Sequence, residues 1–277
     1  MEAAELASGK GHRDENFPVA SLLIKPDYRP PIMAFYRFAR AADDIADNPA
    51  ATADEKLALL NRMRRGLDGE GPGASTAEAT ALRDAMAVRR IDPIHAHDLL
   101  DAFVRDVTVT RYADWDDLIG YCRYSAMPVG RFVLDVHGED RALWPANDAL
   151  CAALQIVNHL QDCGKDYRMI DRVYIPLDTG LDVADLGAER ASERLRAIIA
   201  DLARRTRGLL DQSEVFSAGI RDRRLAAEVA VIHRLARSLT HRLEARDPLS
   251  DRVHHGKVET LFLAAGAALP ALFRRAA

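Results

Sequence analysis

The sequence predicts an all-α protein, a single bundle of roughly ten helices, and three observations carry that expectation. Apolar residues recur at helical spacing along almost the whole chain. Segments in which Val, Ile and Thr alternate with polar residues, the mark of half-buried strands, are missing. Proline and the pairs Asn48-Pro49 and Asp92-Pro93 fall at the ends of the periodic segments, where helices start and stop.

Taken in order, a first long helix is expected after Pro30-Pro31, since proline is tolerated in a first turn, and it runs through Asp47. Asn48-Pro49 ends it, because the residue before proline is pushed out of the helical region. A helix follows from about Asp54 to Leu67, then a loop from Asp68 to Ser75, then a helix from about Thr76 to Val88. Asp92-Pro93 reads as an N-cap and first-residue pair for a helix reaching about Val107. The stretch Asp114 to His137 is helical in pattern but contains Pro128-Val129-Gly130, so a kink or break is expected there. Asn147 to Asp166 is the next helix, and Tyr167 to Leu186 reads as irregular. Three more fit near Ala191 to Glu214, Arg221 to Ala245 and Lys257 to Phe273.

Length and composition narrow the classes. At roughly 150 residues per domain, 277 residues permit one or two domains. No Gly/Ser/Pro-rich linker divides the chain, so residues 1–277 are read as one domain, with 1–16 as a flexible N-terminal extension. Apolar residues make up 48% of the chain, enough for a large core. The net charge is −4 with both signs scattered, which argues against a nucleic-acid partner. Cys122, Cys151 and Cys163 form no CxxC pair, fitting small core residues in a reducing cytoplasm. The polar start, Met1 to Asn16, does not read as a signal peptide. The most apolar run, Leu261 to Phe273, is broken by Pro270 and followed by Arg274 and Arg275. It falls short of the roughly 18 residues that span a bilayer and is expected to be a terminal helix packed on the core, with a membrane-touching end as the alternative.

Two polar segments stand out. In the first, Arg40 to Asp47 (RAADDIAD), Asp43 and Asp47 share one helix face with Cβ atoms roughly 6 Å apart. In the second, Gln155 to Asp166 (QIVNHLQDCGKD), Gln155, Asn158, Asp162 and Asp166 step by three, four and four along an otherwise apolar helix. Like charges at this spacing repel, and facing a core they cost far more unless neutralised. Hard Mg²⁺ resolves both problems, since it accepts one or two carboxylates and completes its shell with water and phosphate oxygens. Two such helices facing each other across a cavity would hold a diphosphate through bridging metal, which stabilises charge on the leaving group. Arg40 reaches the same face as Asp43 and suits phosphate oxygens. A solvated acidic face is the plainer explanation for one such pair; two stripes, both flanked by apolar residues, favour the metal.

These segments resemble those of the squalene and phytoene synthases, the head-to-head branch of the trans-isoprenyl synthases. The resemblance covers about Asn16 to Phe273. Phe35 to Asp47 (FYRFARAADDIAD) is similar to the family's first aspartate motif, Gln155 to Asp166 to its second, and Arg172-Val-Tyr-Ile-Pro176 follows as in the family. Tyr121-Cys122 and Val129-Gly130 lie where the family has a Tyr-Cys and a Val-Gly pair. The resemblance implies an isoprenoid-synthase bundle with a central cavity. It implies Mg²⁺ on Asp43, Asp47, Asn158, Asp162 and Asp166. Diphosphate contacts would come from Arg40, Gln155, Arg172 and Tyr174, and Tyr121 would line the cavity where cations form. For Tyr121 and Tyr174 ordinary packing, and for Arg172 a surface salt bridge, are the alternatives.

Three departures point within the family. Gln161 stands where many members carry Arg, Ala126-Met127-Pro128 precedes Val-Gly, and Glu15 to Ser21 (ENFPVAS) differs from the usual opening. They resemble the bacterial subgroup that converts presqualene diphosphate to hydroxysqualene in hopanoid-type pathways. The implied reaction is Mg²⁺-dependent ionisation with water capture, no NADPH, in the cytoplasm, on an isoprenoid diphosphate. The resemblance allows peripheral contact with the inner membrane face, for an apolar product, and with neighbouring pathway enzymes. The alternatives are condensation of two prenyl diphosphates to presqualene diphosphate, squalene or phytoene, and, from another class, a non-catalytic scaffold on the same fold.

Overall fold

The structure is a computed structural model and describes residues 23–70 and 75–273. The expected N-terminal extension, the departure at Glu15 to Ser21 and part of the loop after Asp68 lie outside the described residues. Eleven α-helices are present among the described residues, and the one β feature there is an isolated bridge between Arg111 and Val173. The described residues fall into two compact units, one within 23–109 and 128–138, the other within 110–127 and 139–273.

In the first unit α1 (Arg29–Asp47) packs on α2 (Ala53–Leu67), α3 (Ala77–Arg89) and α4 (Ile94–Thr108). Its buried face runs Ile32, Phe35, Phe38, Ala42, Ile45, a helical repeat, so this face sets the rotation of the whole helix. Phe35 stacks on Phe132 of α6 (Met127–His137), with ring centroids 4.1 Å apart. Asn48 leaves the helix with an extended ψ of 115° ahead of Pro49, as the sequence predicts. Thr52 and Glu55 close a capping box on α2, and Thr76 caps α3. Gly66 is required by close packing: a Cβ there would collide with Ser75 Oγ and come within 2.8 Å of Ala79 Cβ.

The second unit is built on α7 (Trp144–Ile170), which packs on α5 (Trp115–Ser125), α8 (Glu193–Gln212) and α10 (Arg223–Ala245). The short α9 (Phe216–Gly219) and the last helix, α11 (Lys257–Phe273), both pack on α10. Cys122 and Cys163 are buried, Cys151 is half-buried, and burial pushes the Cys122 and Cys163 thiols up to about 12, so they stay protonated.

Four expectations shift. Pro93 is the N-cap of α4 rather than its first residue, because the Asp92 carboxylate accepts from the Ile94 N–H at 2.9 Å and moves the start by one. The break near Pro128 falls at Ala126, which places Pro128 in the first turn of α6, where it lacks no helical partner. α7 begins three residues earlier than expected, at Trp144 with Pro145 in its first turn, and continues to Ile170, ending on Asp171 in the left-handed region at φ 48°. Finally, α11 is the expected terminal helix and packs on the bundle, but by one face only, and none of its residues is buried. One face lies on α10, and the other leaves Leu261, Phe262 and Phe273 exposed. No described helix is long and apolar enough to cross a membrane.

Candidate active site

The first acidic segment lies in the last turns of α1. With Ala42, Ile45 and Ala46 facing inward, Asp43 and Asp47 fall together on the half-buried edge of the helix. Arg40 sits within this set: its Nη1 is 2.8 Å from Asp43 Oδ2, and its Nη2 donates to Asp44 Oδ1 at 2.7 Å. Asp106, a buried residue of α4, adds another negative charge close to Asp43. Burial, then Asp47, push the Asp43 carboxyl up to about 7, with Asp44 and Asp106 adding to the rise and Arg40 opposing it. With 36% of that side chain still open, water screens part of the effect. The upward direction holds because Asp47 shares its face.

Asp43 and Asp44 hold the Arg40 guanidinium, and Asp47 and Asp106 add negative charge near Asp43; carboxylate oxygens suit a hard divalent cation. Among the described residues no group of three or more His, Cys, Asp or Glu is placed to hold a metal ion by itself. Mg²⁺ needs only one or two carboxylates from the protein and leaves its remaining positions to water and phosphate.

The second segment lies in the C-terminal half of α7. Ile156, Val157, Leu160 and Cys163 are buried, and Gln155, Asn158, Asp162 and Asp166 form a half-buried polar stripe opposite them. Gln161, the residue that departs from the family's Arg, is buried at 6% exposure. A neutral amide is far cheaper there than an unneutralised guanidinium would be.

The chain after α7 turns back under tight control. Val173 N–H donates to Thr110 O at 2.9 Å, Leu177 N–H to Tyr112 O at 3.0 Å and Asp178 N–H to Ala113 O at 3.0 Å. The Arg111 Nη2 is 2.5 Å from Asp171 Oδ1. These bonds draw Arg172 to Pro176 inward, and all five residues are buried. Arg172 is therefore not a surface salt bridge. It is a buried guanidinium whose Nη1 donates to the Tyr174 hydroxyl at 3.3 Å.

Tyr174 is the centre of an aromatic cluster. It stacks on His159 of α7 and on Tyr112, with ring centroids 3.3 and 5.5 Å away, and Tyr121 of α5 lies 5.7 Å off. His159 is half-buried as a residue, but its Nε2 is shut off from solvent. Burial, and then the Arg172 charge, hold its pKa down at about 3, so the ring is neutral at ordinary pH. The predicted residues Arg172, Tyr174 and Tyr121 thus come together beside α7. The cluster also contains two residues the sequence reading did not single out, Tyr112 and His159, and the first set contains Asp106. His159 adjoins Asn158 inside the second motif, a signal that was available. Tyr112 and Asp106 carry no local signal.

The arrangement can therefore supply carboxylates and amides for metal, arginines for phosphate, and aromatic faces that stabilise cations. A family model described as squalene/phytoene synthase matches residues 11–259. The hydroxysqualene synthase of Zymomonas mobilis is 58% identical over 99% of this chain and 93% of its own length, and that of Rhodopseudomonas palustris is 52% identical over 99% and 94%. The crystal structure of a squalene synthase from Alicyclobacillus acidocaldarius superposes with a TM-score of 0.72 at 29% identity, covering 86% of this chain and 90% of that one. The sequence motifs, the helical architecture and these matches lead to one conclusion: the chain belongs to the squalene/phytoene synthase family.

Proposed function

We propose that this enzyme, as one catalytic domain, converts presqualene diphosphate and water to hydroxysqualene and pyrophosphate, in the cytoplasm. The observation that carries the proposal is near full-length identity of 58% to a hydroxysqualene synthase. The two carboxylate sets support the ionisation step from the chain itself.

In this reading Asp43 and Asp47, with Asn158, Asp162 and Asp166, are the Mg²⁺ ligands. Bound Mg²⁺ supplies Lewis-acid neutralisation of the diphosphate as it leaves. Arg40, engaged with Asp43 and Asp44, exchanges carboxylate for phosphate oxygens when substrate arrives. Gln155 and Arg172 orient the diphosphate, and Tyr174 holds Arg172 in place. The carbon–oxygen bond to diphosphate breaks with both electrons leaving on oxygen. The cyclopropylcarbinyl cation rearranges beside Tyr121 and Tyr174, whose ring faces stabilise positive charge without offering a strong nucleophile. Water adds to the rearranged cation and loses one proton, so atoms and charge balance with no hydride donor.

The test is incubation of the purified enzyme with presqualene diphosphate and Mg²⁺, without NADPH. The expected outcome is stoichiometric pyrophosphate and an alcohol. Squalene formed only with NADPH, or product formed only from two farnesyl diphosphates, would overturn the product assignment. Absence of pyrophosphate release from any prenyl diphosphate would overturn the enzymatic reading.

A further inference from the structure

The last helix, α11, is apolar on two opposite faces. One stripe, including Thr260, Leu263, Ala264, Ala267 and Leu272, is half-buried where the helix packs on α10. On the other, Val258, Leu261, Phe262, Leu269 and Phe273 repeat at helical spacing, and each is 53–79% exposed. The positions between them on that stripe are Ala, Gly and Pro. A helix that is apolar all round is ordinarily covered all round, and a continuous exposed stripe of this kind marks an interaction surface. We propose that this face of α11 lies on an anionic lipid bilayer, parallel to its surface.

Charge selects that partner over a second copy of the chain. The first residue of the helix is Lys257, and the sequence directly after Phe273 is Arg274-Arg275. The helix contains one acidic residue, Glu259, which is paired with Arg242 of α10 and lies on the packed side. The exposed stripe is therefore bounded by basic residues and contains no acid. Two copies meeting antiparallel through this face would set basic ends against basic ends. An anionic headgroup layer complements both ends and accepts the apolar stripe between them. Length agrees: 17 residues extend about 25 Å, and no described helix qualifies as a span, so the helix lies on the membrane rather than through it. The proposal concerns binding alone and stands apart from the reaction.

Co-sedimentation of the full chain with substrate-free vesicles tests it. Wild type is expected to sediment with equimolar phosphatidylglycerol and phosphatidylcholine, less so at high salt, and weakly with phosphatidylcholine alone. The double variant L261S/F262S is expected to lose at least about tenfold in partitioning, since two large apolar side chains no longer enter the lipid. R274A/R275A, which keeps every apolar residue of α11, is expected to lose roughly tenfold. It carries the test if the first variant misfolds. Wild type remaining in the supernatant with both vesicle types would overturn the proposal, as would R274A/R275A binding like wild type. So would a wild-type dimer that L261S/F262S converts to monomer, which would assign the face to a second copy.

Discussion

The two acidic helices solve one problem in different ways. On α1 the charges are crowded: Asp43, Asp44 and Asp47 lie within five residues, Asp106 adds another from α4, and Arg40 pairs with Asp43 and Asp44. On α7 the stripe is graded, two amides followed by two carboxylates one turn apart, with Arg172 and the aromatic cluster in the same unit. The first arrangement is tense without metal and has little to offer an apolar substrate. The second combines the proposed metal ligands with groups suited to a diphosphate and a carbocation. The comparison suggests that α1 contributes mainly charge, and that α7 and its surroundings contribute charge, orientation and product choice.

The largest effect is expected at Asp162. Asp162→Asn removes a proposed metal ligand from the graded stripe and should lower turnover by at least roughly 10³-fold, the scale of a lost transition-state charge contact. Melting temperature should hold or rise slightly. Normal activity, or loss of the helical circular dichroism signal, would break the comparison at its α7 side.

Asp43→Asn sharpens the α1 side. Activity should fall by about 10²-fold or more, and stability should respond to pH in a defined direction. The folded carboxyl is raised from 3.8 to about 7, so the folded protein binds more protons than the unfolded one between those values. Its stability therefore falls as pH rises through that window, and the burden is full above pH 7. Without Mg²⁺ the variant should melt about 2 °C higher than wild type at pH 8 and at the same temperature near pH 3.5. An unchanged or lower melting temperature at pH 8 would mean that α1 is not tense.

Smaller changes are expected in the aromatic cluster. Tyr174→Phe keeps the stack on His159 but deletes the hydroxyl that accepts from Arg172. Loss of one hydrogen bond to a charged group corresponds to about tenfold, which should appear in kcat/KM. A variant with wild-type kcat/KM would place Arg172 outside substrate binding. The smallest effect on rate belongs to His159→Phe, which is a test of stability. The His159 pKa falls from 6.5 to about 3 on folding. The unfolded chain therefore binds more protons in that window, and wild-type stability is lost as pH drops from 6.5 toward 3. Denaturant midpoints measured across that range should fall less steeply in the variant; parallel slopes would show that the imidazole titrates normally.

Most elements could be read from local chemistry. The helix end at Asn48-Pro49 and the full extent of α11 follow from prolines and periodicity, because those signals act within a few residues. The two carboxylate stripes were equally legible, since i, i+4 spacing is a local property. What local patterns left out depends on distant contacts. The Arg172 side chain is buried because backbone bonds from a segment 60 residues earlier pull it inward, and Tyr112 joins the cluster by the same route. Asp106 meets Asp43 only through packing of α4 on α1. The exposed side of α11 was hidden for another reason: an apolar helix gives the same pattern whether protein or lipid covers it.

The central claim is that water, rather than hydride, ends the cation's life in this enzyme. Turnover of presqualene diphosphate with Mg²⁺ in ¹⁸O-labelled water, without NADPH, tests it most directly. The account expects an alcohol carrying one solvent-derived oxygen, with its yield unchanged when NADPH is added. An unlabelled alcohol, or squalene that forms only when NADPH is present, would contradict it.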